Sequence, residues 1–104
     1  MEYHAHIYWK NLKERERAML IREWMGEQDV MLGRIHNVPV GPHPLPMYQV
    51  VYDTLTKSKI EKFLELNHDT MSVLLHESIN DDYRDHTDGA RWLGEALKLD
   101  LSIF

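Results

Sequence analysis

The sequence predicts an α+β fold, on three observations. Residues 2–9, "EYHAHIYW", alternate between two faces, and later segments rich in β-branched and aromatic residues also read as strands. Between the strands lie two stretches whose apolar residues recur at helical spacing. Their order along the chain is β-α-β-β-α-β, the split βαβ or ferredoxin-like sandwich, followed by an added C-terminal helix and a short strand.

Each element has a local cause. In the first strand Tyr3, Ala5, Ile7 and Trp9 share one face, while His4, His6 and Tyr8 share the other. Asn11 is placed to cap a first helix whose apolar face is Ala18, Ile21 and Met25 with Leu20 and Trp24, and Gly26 offers a stop. Residues 30–38 read as a second strand, with Leu32, Arg34 and His36 alternating against Gly33 and Ile35. "GPHPLP", residues 41–46, sets three prolines around His43 and makes a stiff connection that fixes where this histidine points. "MYQVVY", residues 47–52, is a third strand, expected to pair antiparallel with the second.

A second helix is expected over residues 56–67, with Thr56 as cap and Ile60, Phe63 and Leu64 as its buried stripe. "MSVLLHE", residues 71–77, is a fourth strand, and "SINDDYRD", residues 78–85, a polar loop. From Asp85 onward Ala90, Leu93, Ala96 and Leu97 suggest a third helix, and "LDLSIF", residues 99–104, alternates as a closing strand. The plan makes the first and third strands central, sets the fourth beside the first, and puts the helices on one face. Residues 1–104 read as one domain.

Composition narrows the function. Hydrophobic residues at 43% and charged residues at 28% are ordinary for a folded chain, so disorder is not indicated. A formal charge of -5, with lysines and arginines scattered among acids, lacks the basic face a nucleic-acid partner requires. No apolar run approaches the roughly 20 residues of a membrane span, which makes the cytoplasm the default location and excludes a membrane partner. Cysteine is absent, so any metal must be held by imidazole, carboxylate or water. No phosphate loop, dinucleotide fingerprint or nucleophile elbow is present.

The seven histidines are the remaining signal. His4 and His6, two apart on a strand, stand side by side on the face away from the helices, where the fourth strand can present His76 and the proline segment His43. The same rings could instead be solvated or hydrogen-bonded to Tyr8 and Tyr48. His68, near a helix end, reads as solvated or as a helix-dipole partner, His36 lies on an edge strand, and Asp81 and Asp82 read as loop and cap residues. Glu77 is a carboxylate that could join a ligand set, but its parity points it to the face opposite His76.

"YHAHIYW", "GPHPLPMYQVVY" and "HESINDDYRDHTDGARWLG" follow one another in an order that resembles the DOPA 4,5-dioxygenase family, over nearly the whole chain. Gly-Pro-His-Pro followed by Pro-Met-Tyr is the most specific of these motifs. The resemblance implies oxygen-dependent extradiol cleavage of DOPA or a related catechol by non-haem Fe(II), with zinc or another divalent metal able to take its place. It matches His4 and His6 to the family's first histidine pair, His43 to its Gly-Pro-His-Pro histidine, His76 to the next, and His86 to its Asp-His. On this reading three of His4, His6, His43 and His76 hold the metal, with His6, His43 and His76 the expected trio, and the remaining one, His4, or His86 transfers the proton; the sequence alone leaves the division among them open. Arg34 and Tyr48 are expected at the substrate. The segment after His76, from Glu77 to Asp81, departs from the family pattern, which bears on the loop and on substrate choice. A non-catalytic ferredoxin-like module, with a homodimer through its open sheet face, and a zinc-binding protein are the alternatives.

Overall fold

The computed structural model describes residues 1–104. Its elements are β1 (Glu2–Tyr8), α1 (Leu12–Met25), β2 (Met31–Leu32), β3 (Met47–Asp53), α2 (Lys57–Asn67), β4 (Val73–Glu77), α3 (Asp82–Asp85), β5 (Ala90–Leu93) and a final 3-10 turn, Leu101–Ile103. The sheet order is β2-β3-β1-β4-β5, with every neighbouring pair antiparallel. The first four strands have the ferredoxin-like order, and β5 is added beyond β4. No helix is long and apolar enough to cross a membrane.

β1 lies at the centre because both its edges are paired, His4 facing Val51 on one side and His76 on the other. Its alternation then sorts two cores. Ala5, Ile7 and Trp9 join Ala18, Ile21 and Met25 of α1 and Ile60 and Leu64 of α2 in the main one. Burying the isoleucine, leucine and methionine side chains contributes about 1.5–3 kcal/mol each, which is what fastens the helices to this face. Tyr8, Met47 and Leu74 form a smaller cluster on the opposite face, covered by Val40 just before the proline segment, Leu45 within it, Trp92 of β5, and Leu97 and Leu99. The face expected to be open is therefore partly roofed.

α1 begins where the Asn11 side chain accepts from the Glu14 amide at 2.9 Å, while Glu14 accepts from the Lys10 amide at 2.8 Å and the Thr70 hydroxyl at 2.7 Å. The reciprocal bonds satisfy amides that the first turn leaves unpaired. Gly26 ends the helix in an ordinary right-handed conformation. Leu20, expected in the apolar face, is 58% exposed, whereas Trp24 is half-buried and stacks on Phe63 with ring centres 3.6 Å apart. Ala18, Ile21 and Met25, continued by buried Glu14 at the first turn, give the helix its buried edge, and position 20 falls outside that arc.

Three expectations need correction. The second strand shrinks to Met31–Leu32 and one bridge from His36 to Met47: the Gly33 amide still donates to the Gln49 carbonyl at 2.7 Å, but the Gly33 carbonyl accepts from Arg22 of α1 at 2.9 Å. The third helix is not where the spacing of Ala90, Leu93 and Leu97 put it. A short turn of helix, α3, sits inside the expected loop, capped by Asp81 accepting from the Arg84 amide, and Ala90–Leu93 is a strand on β4. Gly94, at φ +71°, closes that strand. The predicted closing strand is the 3-10 turn, tied by the Asp100 amide to the Pro42 carbonyl at 2.9 Å.

Candidate metal centre

The register of β1 and β4 builds the centre of the site. His4 pairs directly with His76, and His6, one residue pair along the same face, sits opposite Leu74 on β4 and Gln49 on β3. The proline segment carries His43 over His6, ring centres 4.6 Å apart, and α3 ends so that His86 comes within 5.7 Å of the His6 ring. Five of the seven histidines thus gather from four parts of the chain. His36 lies outside, and His68 is occupied elsewhere, its Nδ1 at 3.2 Å donating to the Met71 carbonyl.

These rings form two overlapping groups. In each of the sets His4, His6, His76 and His6, His43, His86, one ligand nitrogen per ring lies within 4.8 Å of the others. His6 belongs to both. The trio expected from sequence, His6, His43 and His76, is divided between them. The cavity they share measures about 230 Å³ and is also lined by Gln49, Ser78, Asp82, Asp85 and Phe104.

Backbone carbonyls decide how several of these rings carry their protons. His86 Nδ1 donates to the Asp82 carbonyl at 2.7 Å, and His76 Nδ1 donates to the Glu77 carbonyl at 3.3 Å with the Asp85 carboxylate 4.0 Å away. A neutral His76 therefore has a bare Nε2. His6 Nε2, 3.0 Å from it, must be the N–H that donates. His6 Nδ1 is then a bare lone pair, buried and without any partner, in a residue only 3% exposed. A buried polar atom left unsatisfied costs about 1–3 kcal/mol, and a cation is the partner that suits an imidazole lone pair. The residues present fit a divalent metal.

The electrostatics agree. Burial holds His6 well below the ordinary imidazole value, with the surrounding rings adding to it. Burial likewise lowers His43 and His76 to about 4. All three are neutral near pH 7, the form that ligates. The Tyr8 hydroxyl and His43 Nδ1 share a 2.7 Å hydrogen bond, and burial raises the Tyr8 phenol so that it keeps its proton. Asp85, 3% exposed, accepts from the Ile79 amide at 3.3 Å and supplies a negative charge behind His76. Glu2 accepts from His4 Nε2 at 2.7 Å.

The remaining expected residues fall elsewhere. Tyr48 is fully buried on the helix face, its hydroxyl donating to the Ala18 carbonyl at 2.7 Å, because alternation along β3 sends positions 48, 50 and 52 under the helices. Arg34 is exposed and does not line the cavity. Glu77 points to the opposite side, as its parity predicts, into a recess with Tyr3, Lys57 and Glu61. Sequence reasoning missed Gln49 and Phe104 at the cavity. Gln49 was legible from the same alternation, since it faces away from Tyr48, whereas nothing local marks Phe104 as the ring packed 5.2 Å from His86.

A small antiparallel sandwich with a histidine-lined cavity on the sheet face opposite its helices defines the class: an α+β protein with a candidate metal centre. The sequence profile of the Dopa 4,5-dioxygenase family matches residues 3–103, and the chain belongs to that family. It is 30% identical to a DOPA 4,5-dioxygenase of Amanita muscaria over 97% of this chain and 48% of that protein, and 33% identical to an uncharacterised 21.2 kDa protein of Botryotinia fuckeliana over 97% and 62%. The chain thus spans about half to three-fifths of the length of these curated relatives. A crystal structure from Nostoc punctiforme PCC 73102, provisionally described as a dioxygenase, superposes with a TM-score of 0.92 at 36% identity, covering 98% of this chain and 89% of that one.

Proposed function

We propose that the protein is an Fe(II)-dependent extradiol dioxygenase that opens the ring of DOPA or a related catechol with O2. The observation that carries this reading is the convergence of five histidines on one cavity, with His6 common to both ligand groups and one of its nitrogens bare. Family membership supports the reaction class. Fe(II), when bound, would supply a centre at which catecholate and oxygen meet and exchange electron density. Three neutral imidazoles leave coordination positions free for both.

The protein's own part is binding and proton handling. His6 holds the metal with either His4 and His76 or His43 and His86. The pair left over faces the same space and can take the second phenolic proton and later return it. Tyr8 fixes the orientation of His43 through its hydrogen bond, and the Asp82 and Glu77 carbonyls do the same for His86 and His76. Phe104, the hydrophobic residue lining the cavity, offers an aromatic wall beside the substrate ring.

The test is anaerobic loading with Fe(II), addition of DOPA or unsubstituted catechol, and admission of air, following oxygen uptake together with a coloured ring-opened product. Stoichiometric uptake and product formation are expected. Iron bound without uptake for any catechol would overturn the proposal in favour of a non-catalytic metal-binding protein.

A further inference from the structure

Asp85 is the one buried carboxylate of the cavity, and His76 is the one basic side chain within 4.0 Å of it. A carboxylate taken out of water is costly unless something answers its charge. The nearby arginines do not: Arg84 is exposed, and Arg91 is bonded to Glu61 and Glu65. Asp85 Oδ1 accepts from the Ile79 amide at 3.3 Å, while Oδ2 lies 4.0 Å from His76 Nδ1. α3 holds it there, since the Asp85 amide donates to the Asp81 carbonyl at 2.8 Å and the Asp81 side chain caps the Arg84 amide at 3.1 Å. The other rings are backed differently. His86 has a carbonyl behind it and His43 a tyrosine hydroxyl, and the Glu2 carboxylate at His4 is mostly exposed, so water screens it.

From this we infer that Asp85 is a positioning residue that acts through His76 and fixes which nitrogens of His76 and His6 are bare. The inference rests on the metal-centre reading of the cavity and deepens it. A buried negative charge favours the proton on the imidazole nitrogen that faces it, here His76 Nδ1. The Glu77 carbonyl favours the same nitrogen, but at 3.3 Å it is a long and weak acceptor. The His76 Nε2 lone pair then accepts from His6 Nε2–H at 3.0 Å, and His6 Nδ1 is left bare. The charge on α3 thus reaches β1 through one ring of β4. It also makes His76 Nε2 a better donor to a cation and a better acceptor of a proton.

The experiment uses metal-free protein with isotopically labelled histidine rings, whose two-bond proton–nitrogen correlations near neutral pH report the tautomer of each ring. A zinc titration against a chelating dye accompanies it. The wild-type protein is expected to carry its proton on Nδ1 of His76 and on Nε2 of His6. Asp85→Asn keeps an oxygen for the Ile79 amide but turns an NH2 group toward His76 Nδ1. Both rings should move toward the opposite tautomers, and zinc affinity should fall about 10- to 100-fold. Asp85→Glu, which restores the charge, should recover most of both. An Asp85 that only anchors the Ile79 amide predicts tautomers and zinc affinity unmoved by Asp85→Asn, and that result would overturn the inference. So would a wild-type His76 protonated on Nε2, a measurement that needs no variant to fold. Neither readout involves catechol or oxygen: the expected tautomers in a protein that opens no ring would uphold the role of Asp85 and strike only the proposed reaction.

Discussion

Acidifying the metal-free protein should unfold it at a rate per pH unit set by the buried histidines. In the folded chain His43 and His76 titrate at about 4, and His6 also lies well below its ordinary value. In the unfolded chain all three return to about 6.5. Because the folded values are depressed, the unfolded state binds more protons between these limits. Stability is complete above about pH 6.5 and falls as pH drops toward 4. For His43 and His76 alone the slope is at most about 2.7 kcal/mol per pH unit, and moving from pH 6.5, where the unfolded rings are half protonated, to pH 5 removes about 3 kcal/mol. That is a large fraction of the 5–15 kcal/mol typical of a domain. Urea titrations at intervals from pH 8 to 4.5, read by tryptophan fluorescence, measure the slope. His76→Gln, which removes one titrating ring and keeps a polar side chain there, should reduce it by about 1.4 kcal/mol per unit. A stability that is flat between pH 7 and 5, or that rises toward acid, would refute the neutral, desolvated state assigned to these rings.

Three further outcomes follow from the same geometry. His6→Ala should weaken zinc binding by roughly 100-fold or more, measured by competition with a chelating dye, since both ligand groups contain it. Tyr8→Phe removes the 2.7 Å bond to His43 and should cost about 1 kcal/mol, a fall in Tm of roughly 4–8 °C by calorimetry. The same variant should lose roughly 10- to 100-fold in metal affinity or turnover, as expected when a ligand loses the group behind it. Gly94→Ala should destabilise by at least about 2 kcal/mol in a urea titration, because the residue has φ +71° and its Cβ would lie 2.5 Å from the Met71 carbonyl.

Much of this was written in the sequence. The alternation of residues 2–9 told which side of β1 bears imidazoles, and the caps and periodicity placed α1 and α2, because those signals are local and the core rewards them directly. His43 was legible because prolines restrict the backbone on both sides of it. The tail was not legible. Ala90, Leu93 and Leu97 repeat at a spacing that fits a helix, but the edge of β4 offers unpaired backbone groups, and Gly89 and Gly94 let the chain turn onto it and off again. Trp92 then stacks beside Tyr8, 5.8 Å between ring centres, a contact no local pattern announces. Tyr48 and Arg34 were chosen by chemical type, and each was displaced by geometry: alternation turned one into the helix-side core, and a shortened edge strand left the other in solvent.

His6 and His76 touch across a separation of 70 residues, and the other rings of the cluster are supplied by segments as far apart as positions 4 and 86. On the proposed reading, no half of this polypeptide could hold an ion the way the whole would. Complementing fragments, split anywhere between the proline segment and β4, would gain tight zinc retention only on reassembly, which makes the ion a direct reporter of correctly completed strand order.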